Sequence, residues 1–272
     1  MDILSQLNET AQFLKSKYPH QPGVGIVLGS GLSNFTDEIE LEFEIDYSDI
    51  PNFPVSTVAG HKGKLVFGKL GKKTVVAMAG RFHFYEGYGA HEVVFPIRVM
   101  KRLGVDTLLL TNAAGAVNTS YAVGDLMIIK DHISLFTPNP LIGKNFEELG
   151  PRFPDMSEPY KKSLIQQVKA IASKNEIELM EGVYLSVTGP TYETIAEYNL
   201  IRLLGADAVG MSTVQESIAA HHLGMNVFAI SIITDLAVRE ENSPITHEEV
   251  LHAARQAEPK LALLFKELVA AI

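Results

Sequence analysis

Several groups that bind anions are concentrated in Gly80-Arg81-Phe82-His83-Phe84-Tyr85-Glu86-Gly87-Tyr88. In an extended chain, alternate side chains share one face. Arg81, His83 and Tyr85 would then present a guanidinium, an imidazole and a phenol to one place, which predicts an oxyanion site. The alternative is an exposed strand whose two phenylalanines pack against the core.

A second anion-binding element follows the first predicted strand, VGIVL (24–28), in Gly29-Ser30-Gly31-Leu32-Ser33. Backbone N–H groups next to glycine, together with two hydroxyls, can cradle a small anion. The segment lacks the lysine of a P-loop and the full glycine pattern of a dinucleotide site, so a plain turn remains the alternative.

Carboxylates and polar groups follow three later predicted strands: Tyr192-Glu193, Met211-Ser212 and Asp235. A carboxylate at a strand end can bind the N–H edge of a heterocycle or transfer a proton. For Glu193 the alternative is an acid in a first helical turn, and for Asp235 it is an N-cap or turn residue.

The nine histidines show no metal-ligand spacing with a carboxylate, and cysteine is absent. We therefore expect no metal site, no disulfide and no cysteine nucleophile. His221 and His222 lie on a predicted helix and are expected to be structural. His61 lies in a glycine-rich loop, and His247 begins a helix, where capping is the alternative role.

Hydrophobic periodicity predicts the elements that must position these residues. The first part contains a helix over 1–17, the strand at 24–28, a hairpin of 64–68 and 73–78, a helix over 90–103, and strands at 105–111 and 125–132. The second part contains helices over 158–174, 193–204, 214–223 and from 247, and strands at 183–187, 207–211 and 226–232. Pro259 is expected to kink or interrupt the last helix.

This alternation predicts an α/β fold, with residues 1–272 forming a single domain around a mixed, mostly parallel sheet flanked by helices on both faces. Ligands of such sheets gather at the carboxyl ends of strands, where the polar segments above are placed. The loop 133–157 is long, which is typical of a lid or of a contact to another chain.

Composition excludes several classes of protein. Lys and Arg number 23 against 32 Asp and Glu, and the net charge of −9 argues against a nucleic-acid partner. The opening MDILSQLNETAQFLKSKY is unlike a signal peptide, and no apolar run approaches the ~20 residues of a membrane span. We expect a soluble, cytoplasmic protein with no membrane partner.

Eight segments, in this order, resemble the trimeric purine nucleoside phosphorylases of the nucleoside phosphorylase family. They are GSGL (29–32), AGHKG (59–63), GRFHFYEGY (80–88), TNAAG (111–115), RFPDMS (152–157), TGPTYET (188–194), DAVGMST (207–213) and THEEVL (246–251). The resemblance implies purine salvage by reversible phosphorolysis, in which a purine (2′-deoxy)ribonucleoside and phosphate give free base and (deoxy)ribose 1-phosphate. Inorganic phosphate is then a co-substrate, and no cofactor is implied.

The resemblance also assigns residues. It implies a phosphate site of Ser30, His61, Arg81, His83, Ala113 and Ser212, with Ala113 acting through its backbone N–H. It implies a nucleoside site of Tyr85, Phe153, Tyr192, Glu193, Met211, Asp235 and His247. His83, Glu193 and Asp235 are the expected catalytic residues. Phe153 is expected to reach the sugar bound to a neighbouring subunit, which implies a homotrimer.

One position departs from the family pattern, because Asp235 stands where relatives that prefer 6-oxopurines carry asparagine. An ionised aspartate only accepts hydrogen bonds and would favour the amine of adenine. Glu193 favours the N1–H of hypoxanthine or guanine instead. We therefore expect inosine and guanosine to be used and adenosine to be tolerated.

Three other functions fit these residues less well. A methylthioadenosine phosphorylase carries an aspartate at the base site, but its 5′-thioether pocket would prefer a small apolar residue to His247. A hydrolytic nucleosidase would not need the predicted phosphate set. A non-catalytic nucleoside-binding module would not need Glu193 or His247.

Overall fold

The computed structural model describes residues 2–58, 60–237 and 245–272. Its helices are α1 (Ile3–Lys17), α2 (Ala90–Val93), α3 (Phe95–Leu103), α4 (Lys162–Lys174), α5 (Ile195–Leu203), α6 (Val214–His222) and α7 (His247–Ala271). Its strands are β1 (Val24–Val27), β2 (Glu40–Asp46), β3 (Lys64–Leu70), β4 (Lys73–Ala79), β5 (Thr107–Ala116), β6 (Leu126–Ile133), β7 (Met180–Ser186), β8 (Ala208–Gly210) and β9 (Asn226–Leu236).

The strands form one mixed sheet in the order β2-β3-β4-β1-β5-β8-β7-β6-β9. β5 also pairs with β9 in parallel, so that β5, β8, β7, β6 and β9 close into a ring. Among the strand pairs of the described residues, those of β1 with β4 and β5, of β5 with β9, and of β7 with β6 and β8 are parallel. The prediction of an α/β fold with a mixed sheet is confirmed.

The central strands are buried because their sequences are almost continuously apolar. All four residues of β1 are buried, as is every residue of β9 from Val227 to Asp235. The helices pack in two groups, α1 with α3 and α6, and α4 with α7, and β9 contacts both α6 and α7. Runs without alternation are typical of strands covered on both faces, which is what these two helix groups provide.

Some elements differ between the prediction and the structure. Strand β2 was not predicted, although Leu41, Phe43 and Ile45 alternate with acids as an edge strand requires. Helix α4 begins at Lys162 and not at 158. Helix α7 is not interrupted at Pro259, because this residue lies on the exposed face, where water can bond the backbone carbonyl that lacks a partner.

Strands β5 and β9 are longer than predicted, and this places polar residues inside the sheet. Asn112 to Gly115 belong to β5, and Asp235 pairs with Gly115 as part of β9. Of the predicted polar loop after residue 232, residues 238–244 lie outside the described part of the chain. None of the helices in the described ranges is long and apolar enough to cross a membrane.

Candidate active site

A cleft lies where β1, β5 and β9 end and where the first turn of α7 passes over them. Its empty volume, including the open solvent at its mouth, is about 690 Å³. It brings together eleven of the thirteen predicted site residues: Ser30, Arg81, His83, Tyr85, Ala113, Tyr192, Glu193, Met211, Ser212, Asp235 and His247. His61 and Phe153 are not among the residues that line it.

The turn after β1 is fixed by close approach to β5. A Cβ on Gly29 would lie 2.9 Å from the Cα of Asn112, so only glycine fits there. The Gly29 N–H donates to Thr111 Oγ1 at 2.9 Å, which leaves Ser30 at the rim of the cleft. A side chain in place of Gly29 would push Ser30 away from β5.

Arg81 is 1% exposed and is already held by protein groups. Its Nε donates to Glu216 Oε1 at 3.0 Å, and its Nη1 donates to the Thr111 carbonyl and, at 3.4 Å, to Ser212 Oγ. Its Nη2 lies 2.9 Å from Glu216 Oε2, yet in the described part of the chain no aligned hydrogen bond satisfies it. One buried donor of the guanidinium therefore still needs an acceptor.

Glu216 also holds the loop that carries Ser212. Its Oε2 accepts from the Thr213 N–H at 3.0 Å, and Thr213 has φ of +74°, which is unfavourable for a β-branched residue. Asn112 Nδ2 donates to Thr213 Oγ1 at 2.8 Å. Backbone strain of this kind costs about 1–3 kcal/mol and persists only where neighbours enforce it. Glu216 and Asn112 supply that constraint.

His83 is paired with a carboxylate. Its N–H and its Nδ1 each lie 2.9 Å from Glu86 Oε1. Burial would raise the pKa of Glu86, but hydrogen bonds from His83 and Thr57 lower it to about 2, so this carboxylate is ionised. An ionised carboxylate only accepts, so Nδ1 carries the proton that it shares with Glu86.

His61 lies behind the cleft and contacts Ser30. Its Nε2 is 3.4 Å from Ser30 Oγ, and its ring stacks on His83 with centroids 5.5 Å apart. Burial, together with electrostatic interactions with His83 and Arg81, lowers the pKa of His61 to about 3. His61 is therefore neutral and is placed to orient the Ser30 hydroxyl.

Tyr85 and His247 reach the cleft from helical segments. The chain is extended at His83 but turns into a 3₁₀-helix at Phe84–Glu86, so the alternating face predicted for this stretch does not form beyond His83. The rings of Tyr85 and His83 nevertheless stack, 4.6 Å apart. Thr246, and not His247, is the N-cap of α7, and its side chain accepts from the Glu249 N–H.

The opposite end of the cleft is acidic. Burial raises the pKa of Glu193, and burial with the negative charges of Asp235 and Glu193 raises the pKa of Tyr192. Asp235 is 4% exposed, and its Oδ1 lies 2.7 Å from where a Cβ of Gly115 would be. Gly115 is thus required for the aspartate to lie against β5.

Phe153 lies outside the cleft and is 88% exposed. It lines a separate apolar hollow with Leu135, Leu204 and Ile218, and the Arg152 guanidinium lies 5.7 Å from its ring centroid. Within one chain, this ring does not meet the other predicted nucleoside residues.

Sequence reasoning gave no role to Glu216 or Glu86. The spacing of Thr213 and Glu216 is that of a capping box, which predicts a helix start but not the pairing of Glu216 with Arg81. Glu86 lies three residues after His83 in the same nine-residue stretch. This spacing is the sequence signal that could have predicted their pairing.

Comparison with known proteins adds the following findings. A family model described as the phosphorylase superfamily matches residues 23–270. Purine nucleoside phosphorylase 1 of Geobacillus stearothermophilus is 53% identical over 263 residues, which cover 97% of this chain and 96% of the relative. Purine nucleoside phosphorylase of Rattus norvegicus is 49% identical, with 93% and 90% covered.

Solved structures agree with these relatives. Isoform 2 of purine nucleoside phosphorylase from Schistosoma mansoni, in complex with cytosine and ribose-1-phosphate, superposes with a TM-score of 0.93 at 44% identity, and 98% of this chain and 96% of that chain are covered. The Schistosoma mansoni enzyme in complex with adenosine has a TM-score of 0.93 at 39% identity, with the same shares covered.

Proposed function

The chain belongs to the phosphorylase superfamily and is a purine nucleoside phosphorylase, and we propose that the cleft around Arg81 is its active site. One observation carries this assignment. The cleft has donors at one end, around Arg81 and Ser212, and carboxylates at the other, Glu193 and Asp235. A nucleoside with phosphate below its sugar requires this arrangement, with hydrogen-bond donors at the phosphate and carboxylates at the base.

In the proposed reaction, a phosphate oxygen forms a bond to C1′ of the sugar while the glycosidic C1′–N9 bond breaks. The bonding pair leaves with the purine, which takes up a proton. The sugar is positive and the base negative in the transition state. A fixed phosphate stabilises the sugar and then captures it, so positioning and electrostatics supply most of the acceleration.

The phosphate end offers donors in fixed positions. Nη2 of Arg81 is buried and lacks an aligned acceptor in the described part of the chain, and a phosphate oxygen would fill that place. We assign the hydroxyls of Ser30 and Ser212, the Ala113 N–H and His83 to the remaining oxygens. His61 acts on phosphate through the Ser30 hydroxyl, which it contacts. Because Glu216 already orients the guanidinium, little reorganisation accompanies binding.

At the other end, Glu193 accepts from N1–H of a 6-oxopurine, and Tyr192 packs on the base. Tyr85, Met211 and His247 surround the sugar. We propose that adenosine is used beside inosine and guanosine, because the Asp235 carboxylate accepts from the 6-amino group and, when protonated, can donate to N7. His83, Glu193 and Asp235 are the proposed catalytic residues.

The role of Asp235 is tested by Asp235→Asn, which keeps the size of the side chain. A hydrogen bond to a charged group contributes about 1.5–3 kcal/mol. We therefore expect the ratio of kcat/KM for adenosine to that for inosine to fall at least about tenfold. An unchanged ratio would show that Asp235 does not select the base.

We propose that Phe153 completes the cleft of a neighbouring chain in a homotrimer. Two large apolar side chains that line the same hollow as Phe153, Leu135 and Ile142, are more than 60% exposed in the single chain. Exposed apolar surface of this kind marks a protein contact. A head-to-tail contact that closes a ring would place each Phe153 against the next cleft.

Phe153→Ala is expected to raise KM for inosine about tenfold while the oligomer, measured by sedimentation, persists. The loss of a large aromatic at a shared site costs on the order of 1–2 kcal/mol of binding. Phe136→Ala, on the same loop and 45% exposed, is the matched control and should leave KM unchanged. An unchanged KM in Phe153→Ala would remove Phe153 from the site.

The reaction class is tested by release of free base from inosine and from adenosine, each with and without phosphate. We expect release from both substrates only with phosphate, and activity that survives dialysis against EDTA, because the proposed reaction needs no metal or organic cofactor. Release without phosphate would identify a hydrolase. A cytoplasmic location is part of the proposal and is checked by cell fractionation.

A further inference from the structure

A second cavity lies away from the cleft, between the start of α1, helices α2 and α3, the end of α6 and the segment 140–149. Its empty volume is about 850 Å³. The titratable side chains that line it are Asp2, His91, Arg98, Lys144 and His222. Nitrogen bases therefore outnumber acids four to one, in a chain whose net charge is −9.

Arg98 is the buried charge of this cavity, with 5% of its surface exposed. In the described residues its one hydrogen bond runs from Nη2 to the Pro140 carbonyl, 3.2 Å away, and it forms no ion pair. Burial lowers the pKa of Arg98, but a guanidinium stays protonated in proteins. Since the group carries five N–H donors, most of them lack a protein acceptor.

Its neighbours do not neutralise Arg98. Asp2 caps α1, accepting from the Ser5 N–H at 2.8 Å. His91 and His222 direct Nε2 at the carbonyls of Ile142 and Pro151, at 3.1 and 3.0 Å. Burial and the charge of Arg98 lower the pKa of His222, so this histidine is held neutral.

Lys144 supplies a second positive charge at the mouth of the cavity. It is exposed, and its Nζ lies 5.2 Å from the ring centroid of Phe146, which lines the same cavity. A buried charge is usually paired, because desolvation of an unpaired ion is costly. Neither Arg98 nor Lys144 forms an ion pair with the described residues, so two positive charges at this cavity have no carboxylate partner there.

We propose that this cavity binds a phosphate group, either as inorganic phosphate or as a phosphate monoester. A dianion balances Arg98 and Lys144, whereas a single carboxylate balances one of them. The planar guanidinium fork binds two phosphate oxygens at once. The remaining oxygens face Lys144, which lines the same cavity.

Occupancy of the cavity has a structural consequence. Arg98 of α3 holds the Pro140 carbonyl, and Arg152 holds the same segment by donating from Nη1 to the carbonyls of Leu141 and Gly143 at 3.2 and 2.7 Å. The bound anion joins α3 to this segment, whose continuation carries Phe153. The second phosphate thus stiffens the loop on which Phe153 is presented.

The test is equilibrium dialysis of radiolabelled inorganic phosphate against the full chain. We expect two phosphates per chain in the wild type and one in Lys144→Glu, with at least a tenfold loss of affinity at the second site. Lys72→Glu makes the same charge change at an exposed turn remote from the cavity and should retain two. Phosphorolysis of inosine reports separately that the cleft still binds phosphate.

Arg98→Met removes the buried charge and should also leave one phosphate per chain. If Arg98→Met does not fold, the dialysis experiment with Lys144→Glu still tests the proposal. Displacement of the second phosphate by glycerol 3-phosphate identifies a monoester site, and failure to displace it identifies an inorganic phosphate site. One phosphate per wild-type chain, or two in Lys144→Glu with unchanged affinity, would overturn the proposal.

Discussion

The cleft around Arg81 and the cavity around Arg98 each contain a buried arginine beside histidines, but their partners differ in kind. In the cleft, Arg81 pairs with Glu216, and His83 pairs with Glu86. In the cavity, the corresponding groups meet only backbone carbonyls among the described residues. Carboxylates fix the orientation of Arg81 and His83 and reduce the net charge of the cleft, whereas carbonyls leave the charge of Arg98 in the cavity uncompensated.

The largest loss of stability is expected from Glu216→Ala, which would leave Arg81 without a carboxylate partner, as Arg98 is in the cavity. Removing one partner of a buried ion pair costs about 3–5 kcal/mol of stability, and here Thr213 also loses the acceptor of its N–H. Urea unfolding measures the loss.

Glu216→Gln is the matched control, because it retains an acceptor for Arg81 or Thr213 and should cost less. A loss of under about 1 kcal/mol in Glu216→Ala would show that Arg81 does not depend on its carboxylate.

The second prediction concerns how the free energy of unfolding depends on pH through His61, which lies beside Arg81 and His83. The folded pKa of His61 is about 3, against 6.5 for an ordinary histidine. The unfolded chain binds this proton first, so stability is intact above pH 6.5 and falls as the pH is lowered toward 3. The slope from this residue is at most about 1.4 kcal/mol per pH unit. Urea unfolding at pH 7, 6 and 5 should show a shallower slope for His61→Gln, and an identical slope would contradict the assignment.

The smallest change in the free energy of unfolding is expected from Arg98→Met in phosphate-free buffer. Replacing a buried charge by an apolar side chain of similar length is often neutral or stabilising. We expect the free energy of unfolding to change by no more than about 1 kcal/mol. A loss as large as that of Glu216→Ala would mean that Arg98 depends on its protein contacts as Arg81 does, and the comparison would fail.

The sequence predicted those parts of the site in which chemistry and position are local. Arg81, His83 and Ser30 follow strands directly, and the carboxyl ends of neighbouring strands must meet. The pairing of Arg81 with Glu216 spans 135 residues, and no local pattern encodes it. The position of Asp235 inside β9 depends on its register against β5, which periodicity does not fix. The role of Phe153 in a neighbouring subunit and the extent of the single domain remain predictions.

The fold was predictable where strands are continuously apolar and less so at its margins. β2 is an edge strand in which apolar residues alternate with four acids, so its apolar pattern is weak. β8 has only three residues. The closure of the ring by β5 and β9 was not predicted, because neither strand contains any signal that it has a third neighbour or a distant one.

That closure also determines the order in which the molecule can be completed during synthesis. β9 is the last strand in the described part of the chain, and it pairs with β5 and β6, which are made more than ninety residues earlier. Until Asn226 to Leu236 leave the ribosome, β5 and β6 each have an apolar edge with unpaired backbone groups. Such edges aggregate. The nascent chain therefore needs protection until its final strand arrives, and the phosphate end and the base end of the cleft first meet when that strand is in place.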